Sequence, residues 1–247
     1  MAGHSQFANI KHRKSAQDAK KSKLFTKLRR EIIVAARNGL PEIDKNPRLK
    51  SAVINAKREG LPKDRIDAAI KSAKGGLLHD NYENITYEGY ACGGVALIVD
   101  ALTDNRNRTA SNLRALLSKF DGSLAESGSV AFMFDRVGKL SFSTVKDTES
   151  FFDCAIALGV DDIIEDQHRF HLVCKRDLLF SILTQLSNKF GEPEFSSLVW
   201  QPKTGIDLSK SQSEELLKLI NLLEDIEDVH NVFTNATKIT KSDKNNS

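Results

Sequence analysis

The tightest constraint on how this chain can fold is a change of period at Gly75-Gly76. Before that point apolar residues recur at helical spacing; after it they run in short strand-like blocks. Leu24, Leu28, Ile32 and Ala35 follow one another at steps of four, four and three, which places them on one face of a helix. Lys20, Lys23, Lys27, Arg30 and Arg37 line the side roughly opposite. Ser15 with Asp18 three residues on reads as an N-cap with a capping-box acid, and Asn38-Gly39 as a stop, so a helix is predicted over 16–37. A second is predicted over 47–59, with Leu49, Val53 and Ala56 apolar. A third has Pro62 in its first turn and Gly75-Gly76 at its end. Short helices joined by Gly and Pro loops make a small basic bundle, residues 1–76.

Downstream, strands are predicted at 86–90 and 95–102, then a helix burying Leu113, Leu116, Leu117 and Phe120, then a buried strand in GSVAFMF. A separate series begins at Val137: strand 139–143, helix 149–158, strands 161–165 and 169–175, helix 178–190, strand 195–201. That order, βαββαβ, is the ferredoxin-like unit. The turn-rich QPKTGIDLSKSQ, the acidic helix SEELLKLINLLEDIED and the strand VHNVFTN remain. A helix and strand left over after a complete unit return most simply to the middle of the molecule. The expected fold class is therefore multidomain α and α+β. Residues 137–202 form a ferredoxin-like domain inserted into an α+β domain of residues 77–136 and 203–240, and 241–247 form a frayed tail.

Charge is divided along the same line. Residues 1–76 hold 19 Lys and Arg against 7 Asp and Glu, a net +12, while the rest holds 17 against 26, a net −9. A cationic module on an acidic body points to a polyanionic partner for the module alone. The candidate phosphate contacts are Lys11, Arg13, Lys14, Lys20, Lys23, Lys27, Arg30 and Arg37. Cys92, Cys154 and Cys174 lie far apart with no CxxC pair, which excludes a disulfide framework or zinc ribbon and suits a reducing cytosol. With no secretory h-region, no Arg-rich presequence and no run of eighteen apolar residues, a cytoplasmic protein away from membranes is expected.

No catalytic constellation assembles. His168 and His171 have no cysteine or acid at ligand spacing, and Glu224, Asp225, Glu227 and Asp228 read as a solvated acidic face at a helix end. YEGYACGG lacks the spacing of a phosphate or dinucleotide loop, and no nucleophile elbow occurs. The expectation is a non-enzyme with no metal, no cofactor and no small-molecule substrate. One loop stands apart: TDNRNRTAS, where Asn107 or Thr109 can cap the following helix and leave Arg106 and Arg108 pointing outward. Those two arginines either bind phosphate beside helix N-terminal amides or pair with Asp100 or Asp104.

The stretches MAGHSQFANIKHRKSAQDAKKSKLFTKLRREI, NPRLKSAVINAKREGLPKD, YEGYACGGVALIVDALTDNRNRTAS and GSVAFMFDR resemble the YebC/PmpR family, over residues 1 to about 235. The resemblance implies three domains, no catalytic site and no obligatory metal. It implies DNA binding as a transcription regulator in some members. In others it implies a ribosome-associated role that helps translation through difficult sequences such as proline runs. The family usually carries Gly-Pro where this chain has Ala91-Cys92, and losing Pro loosens that turn. Three readings follow: a DNA-binding regulator, a translation factor on ribosomal RNA, and a protein–protein adaptor working through its acidic body. Phosphate attraction is common to the first two and carries no base information.

Overall fold

A computed structural model describes residues 3–74, 82–143, 145–167 and 169–237, the side chains of 3–17 and 74 excepted. The chain divides into two compact units, residues 1–78 and 79–247. The expected stop at Gly75-Gly76, His168 and the tail 241–247 lie outside the described residues.

Among its described residues the first unit has three α-helices: α1 (Gly3–Arg37), α2 (Pro47–Arg58) and α3 (Lys63–Lys74). α1 begins well before the expected Ala16, with Ser15 and Asp18 inside it. Residues 4–14 contain neither Gly nor Pro, so nothing interrupts the ladder and the local cap signal goes unused. The expected apolar face holds at Leu28, Ile32 and Ala35, which pack in the core, and departs at its first residue. Leu24 is exposed, and Phe25 packs instead against a core of Ile32, Ala36, Leu49, Val53, Leu61 and Ile66. Asn46 locks the α1–α2 corner. Its Oδ1 accepts from the Leu49 N–H at 3.0 Å as the cap of α2, and its Nδ2 donates to the Ala35 and Leu40 carbonyls at 2.7 and 2.8 Å. Gly39 is needed there because a Cβ would lie 2.6 Å from that Nδ2. Arg48 adds a bidentate pair to Glu31, at 2.7 and 2.9 Å.

The second unit contains two four-stranded antiparallel sheets. β1 (Glu83–Ala91) and β2 (Val95–Thr103) pair from Glu83↔Thr103 to Ala91↔Val95. With β3 (Ser123–Leu124) and β8 (Val229–Thr234) they form the first sheet, in the order β3-β1-β2-β8. β2 is apolar almost throughout because both its faces are covered. Leu97 and Val99 meet Leu113 and Leu117 of α4 (Arg106–Lys119) and Leu216, Leu219 and Leu223 of α7 (Lys210–Glu224). Ala96 and Ile98 meet Val130 and Phe134. At the β1–β2 turn Gly93 and Gly94 take φ of 70° and 74°. Gly93 has no room for a Cβ beside Gln212, and the Cys92 thiol donates to the Gln212 carbonyl at 3.9 Å. Packing against α7 holds the turn in the absence of Pro.

The expected GSVAFMF strand is absent. Val130 is buried, but residues 131–133 form a 3-10 turn with Phe132 exposed, and the strand begins at Phe134. The cause is Glu88 of β1, whose buried carboxylate accepts from the N–H groups of Gly128, Val130 and Ala131 at 2.7, 2.6 and 2.7 Å. Donors turned toward a carboxylate are lost to a sheet ladder. β4 (Phe134–Phe142) then runs across position 136/137 into the second sheet. That sheet adds β5 (Val160–Asp166), β6 (Arg169–Lys175) and β7 (Phe195–Pro202), in the order β5-β6-β4-β7. With α5 (Thr148–Ala157) and α6 (Leu179–Phe190) between the strands, this is the ferredoxin-like βαββαβ arrangement. Phe151 centres its core, in edge-to-face contact with Phe142 and Phe190 at 5.1 and 5.2 Å.

Candidate nucleic-acid interface

At 1.5 Å per residue α1 is about 50 Å long, and α2 and α3 about 18 Å each, so they cannot cover it. Lys11, Arg13 and Lys14 lie on α1, with side chains outside the described set. Lys20 and Lys23 are exposed. Lys27, Arg30 and Arg37 are half-buried, and none of the three is without a partner. The expected stripe of five is thus two solvated lysines followed by three cations engaged with the protein.

A different set of cations converges on a groove. Lys21 and Arg29 from α1 and Arg65 from α3 surround about 310 Å³ of open volume, with Asp18, Phe25, Leu61 and Pro62 also lining it. Among the described residues none of these three cations forms an ion pair. Lys21 Nζ lies 5.4 Å from the Phe25 ring centroid. Lys21 and Arg29 share the helix side of Ile32, within the face that the Leu24, Leu28, Ile32 and Ala35 spacing marks as core. The missed signal is the spacing Lys21, Phe25, Arg29, an aromatic between two cations four residues away on either side. Arg65 had no such signal, since only the fold brings it there.

Arg106 and Arg108 part company. The helix cap is Asn105, not Asn107 or Thr109: its side chain accepts from the Arg108 N–H at 3.0 Å, which puts both arginines in the first turn of α4. Arg108 Nη2 donates to Asp104 at 2.7 Å and to Asp228 at 2.9 Å. Asp228, expected in water, is buried, because α7 has ended and the chain is turning into β8. There it also accepts from the Thr109 hydroxyl at 2.8 Å, and its carbonyl takes the Leu102 N–H. The hydrogen bonds that Arg108 donates to Asp228 and then to Asp104 raise its pKa, so it stays charged. Asp100 takes other partners: Arg136 at 2.8 Å, Trp200 Nε1 at 3.2 Å and the Thr86 hydroxyl at 2.9 Å. Arg106 forms no ion pair among the described residues, and its carbonyl accepts from the Tyr87 hydroxyl at 3.0 Å. Arg108→Ala should therefore lower the melting temperature by a few degrees and leave affinity per folded molecule unchanged. Arg106→Ala should leave melting unchanged; an equal loss of stability from both would contradict this division.

Among the described residues no group of three or more His, Cys, Asp and Glu is placed to hold a metal ion. His171 Nδ1 faces the Ser141 hydroxyl at 2.8 Å across β4 and β6. Burial pushes the Cys174 thiol up to about 11 and also raises Cys92, so neither is a thiolate at neutral pH. No described helix is long and apolar enough to cross a membrane.

Two family models match nearly the whole chain: the TACO1/YebC protein N-terminal domain over residues 5–76, and the TACO1/YebC second and third domain over residues 82–236. A protein of Ehrlichia ruminantium (strain Gardel) named "probable transcriptional regulatory protein" is 50% identical over 226 residues, covering 89% of this chain and 90% of that one. A protein of the same name from Ehrlichia canis (strain Jake) is 49% identical over 228 residues, covering 89% and 91%. The crystal structure of a conserved hypothetical protein from Aquifex aeolicus matches with a TM-score of 0.78 and 36% identity, covering 89% of this chain and 91% of that one.

Proposed function

The chain belongs to the TACO1/YebC family, and from that premise we propose that it is a cytoplasmic, non-enzymatic regulator of gene expression that binds DNA. The observation that carries this reading is the cationic N-terminal unit: exposed Lys20 and Lys23, and a groove ringed by Lys21, Arg29 and Arg65. Cations in water beside a polyanion release its condensed counterions, a source of affinity that needs no catalytic group and no cofactor. The names of the Ehrlichia relatives support transcription as the process. A second reading, a translation factor on ribosomal RNA, is favoured by Phe25 among those cations, because an aromatic ring can stack on an unpaired base and RNA displays many. Sequencing the nucleic acid crosslinked to the protein in cells separates the two. Recovery of promoter DNA is the expected result; ribosomal RNA in its place would replace the first reading with the second.

A further inference from the structure

We infer that the groove between α1 and the start of α3 is a site for one unpaired nucleotide, its phosphates held by Arg29 and Arg65 and its base laid on Phe25. This rests on the nucleic-acid reading and goes beyond it, because it separates a single strand from a duplex. Size is the first argument. A volume of about 310 Å³ stands at the small end of ligand sites, enough for one nucleotide and far too little for a double helix. Charge is the second. Three cations that form no ion pair among the described residues outnumber the one acid lining the groove, Asp18, so the groove attracts a phosphodiester.

The ring is the third argument. Phe25 packs on the bundle core yet is only half-buried, which leaves part of its surface to a planar ligand. Lys21 Nζ, 5.4 Å from the centroid, already shows that surface to be reachable by a cation. Lys21 is exposed and flexible, so an arriving base can displace its ammonium toward a neighbouring phosphate. Leu61 and Pro62 supply the apolar wall against the sugar. In a duplex the base faces are stacked on one another and cannot reach the ring, whereas every unpaired base has a face to offer.

The test is fluorescence anisotropy with the full chain at fixed salt, using a labelled mixed-sequence RNA strand, the matching DNA strand and the DNA duplex. Phe25→Leu keeps an apolar side chain for the core and removes the stacking surface. It should weaken binding of a single strand about tenfold and leave the duplex within about twofold. Arg65→Gln, at an exposed position, should weaken single-strand binding severalfold without altering melting, which keeps the test valid if Phe25→Leu unfolds the bundle. Phe25 dependence on both strands marks a groove that accepts either sugar, and dependence on the RNA strand alone marks RNA as its source. Equal losses on strand and duplex, or no loss on either strand, would overturn the groove site while leaving nucleic-acid binding intact. A native chain that binds none of the three probes would overturn both.

Discussion

Replacing Glu88 with Gln should lower the stability of the second unit by about 3 kcal/mol, a large effect for an isosteric change. Glu88 is 5% exposed, and its carboxylate accepts from three donors of one loop, the N–H groups of Gly128, Val130 and Ala131. An amide can meet these donors with one oxygen and must turn its own N–H₂ toward the rest. The loop held this way also carries Val130 onto Ala96 and Ile98 and launches β4, so loosening it disturbs the contact between the two sheets. At roughly 2–4 °C per kcal/mol for a unit of this size, melting should fall by roughly 6–12 °C.

The pH dependence follows with its sign. Burial alone would raise the Glu88 pKa, but the three backbone donors outweigh it and hold the carboxyl below its ordinary range. The group therefore contributes stability that is present above the unfolded glutamate value of about 4.3, and that is lost as pH falls through the folded value. Urea unfolding of the native chain should lose this contribution only in acid, and Glu88→Gln should lack that part of the acid loss. A Glu88→Gln variant within about 1 kcal/mol of native at pH 7 would show that the clamp is not a main support of the fold.

Changing Lys20, Lys21, Lys23 and Arg29 together to Gln should reduce duplex affinity on the order of a thousandfold at physiological salt. All four are exposed, so the bundle core of Ile32, Leu49, Val53 and Ile66 is untouched and melting should hold. The magnitude comes from counterion release: each phosphate contact adds about 0.9 to the slope of log affinity against log salt on duplex DNA. Four lost contacts should flatten that slope by about 3.6. Lys27, Arg30 and Arg37 are poor choices for this experiment because each is half-buried and engaged, and their loss would mix stability with binding. Removing the same charge from the acidic body, at the exposed Lys119, Lys146, Lys175 and Lys210, should leave the slope as it was. A native slope in the α1 variant would show that this surface is only solvated.

The sequence by itself determined what short-range spacing encodes. Helical period marked α1, α2 and α3, alternation and apolar blocks marked β1, β2 and the βαββαβ order, and the charge division singled out the first unit. Such signals survive because residues three or four apart meet in any helix and residues two apart share a face in any strand. Where two local signals competed, tertiary structure chose. Ser15 offered a cap that α1 ran through, and the apolar GSVAFMF read as a strand until Glu88 drew its N–H groups away. The site was less legible than the fold. The pairing of Arg108 with Asp104, four residues away, was legible as one of two local readings, but its buried partner Asp228 lies 120 positions along the chain, beyond any window of sequence. Arg65 joins Lys21 and Arg29 only because α3 folds back along α1. Charge is visible in a sequence; whether a charge is solvated or paired depends on which distant residue the fold sets beside it.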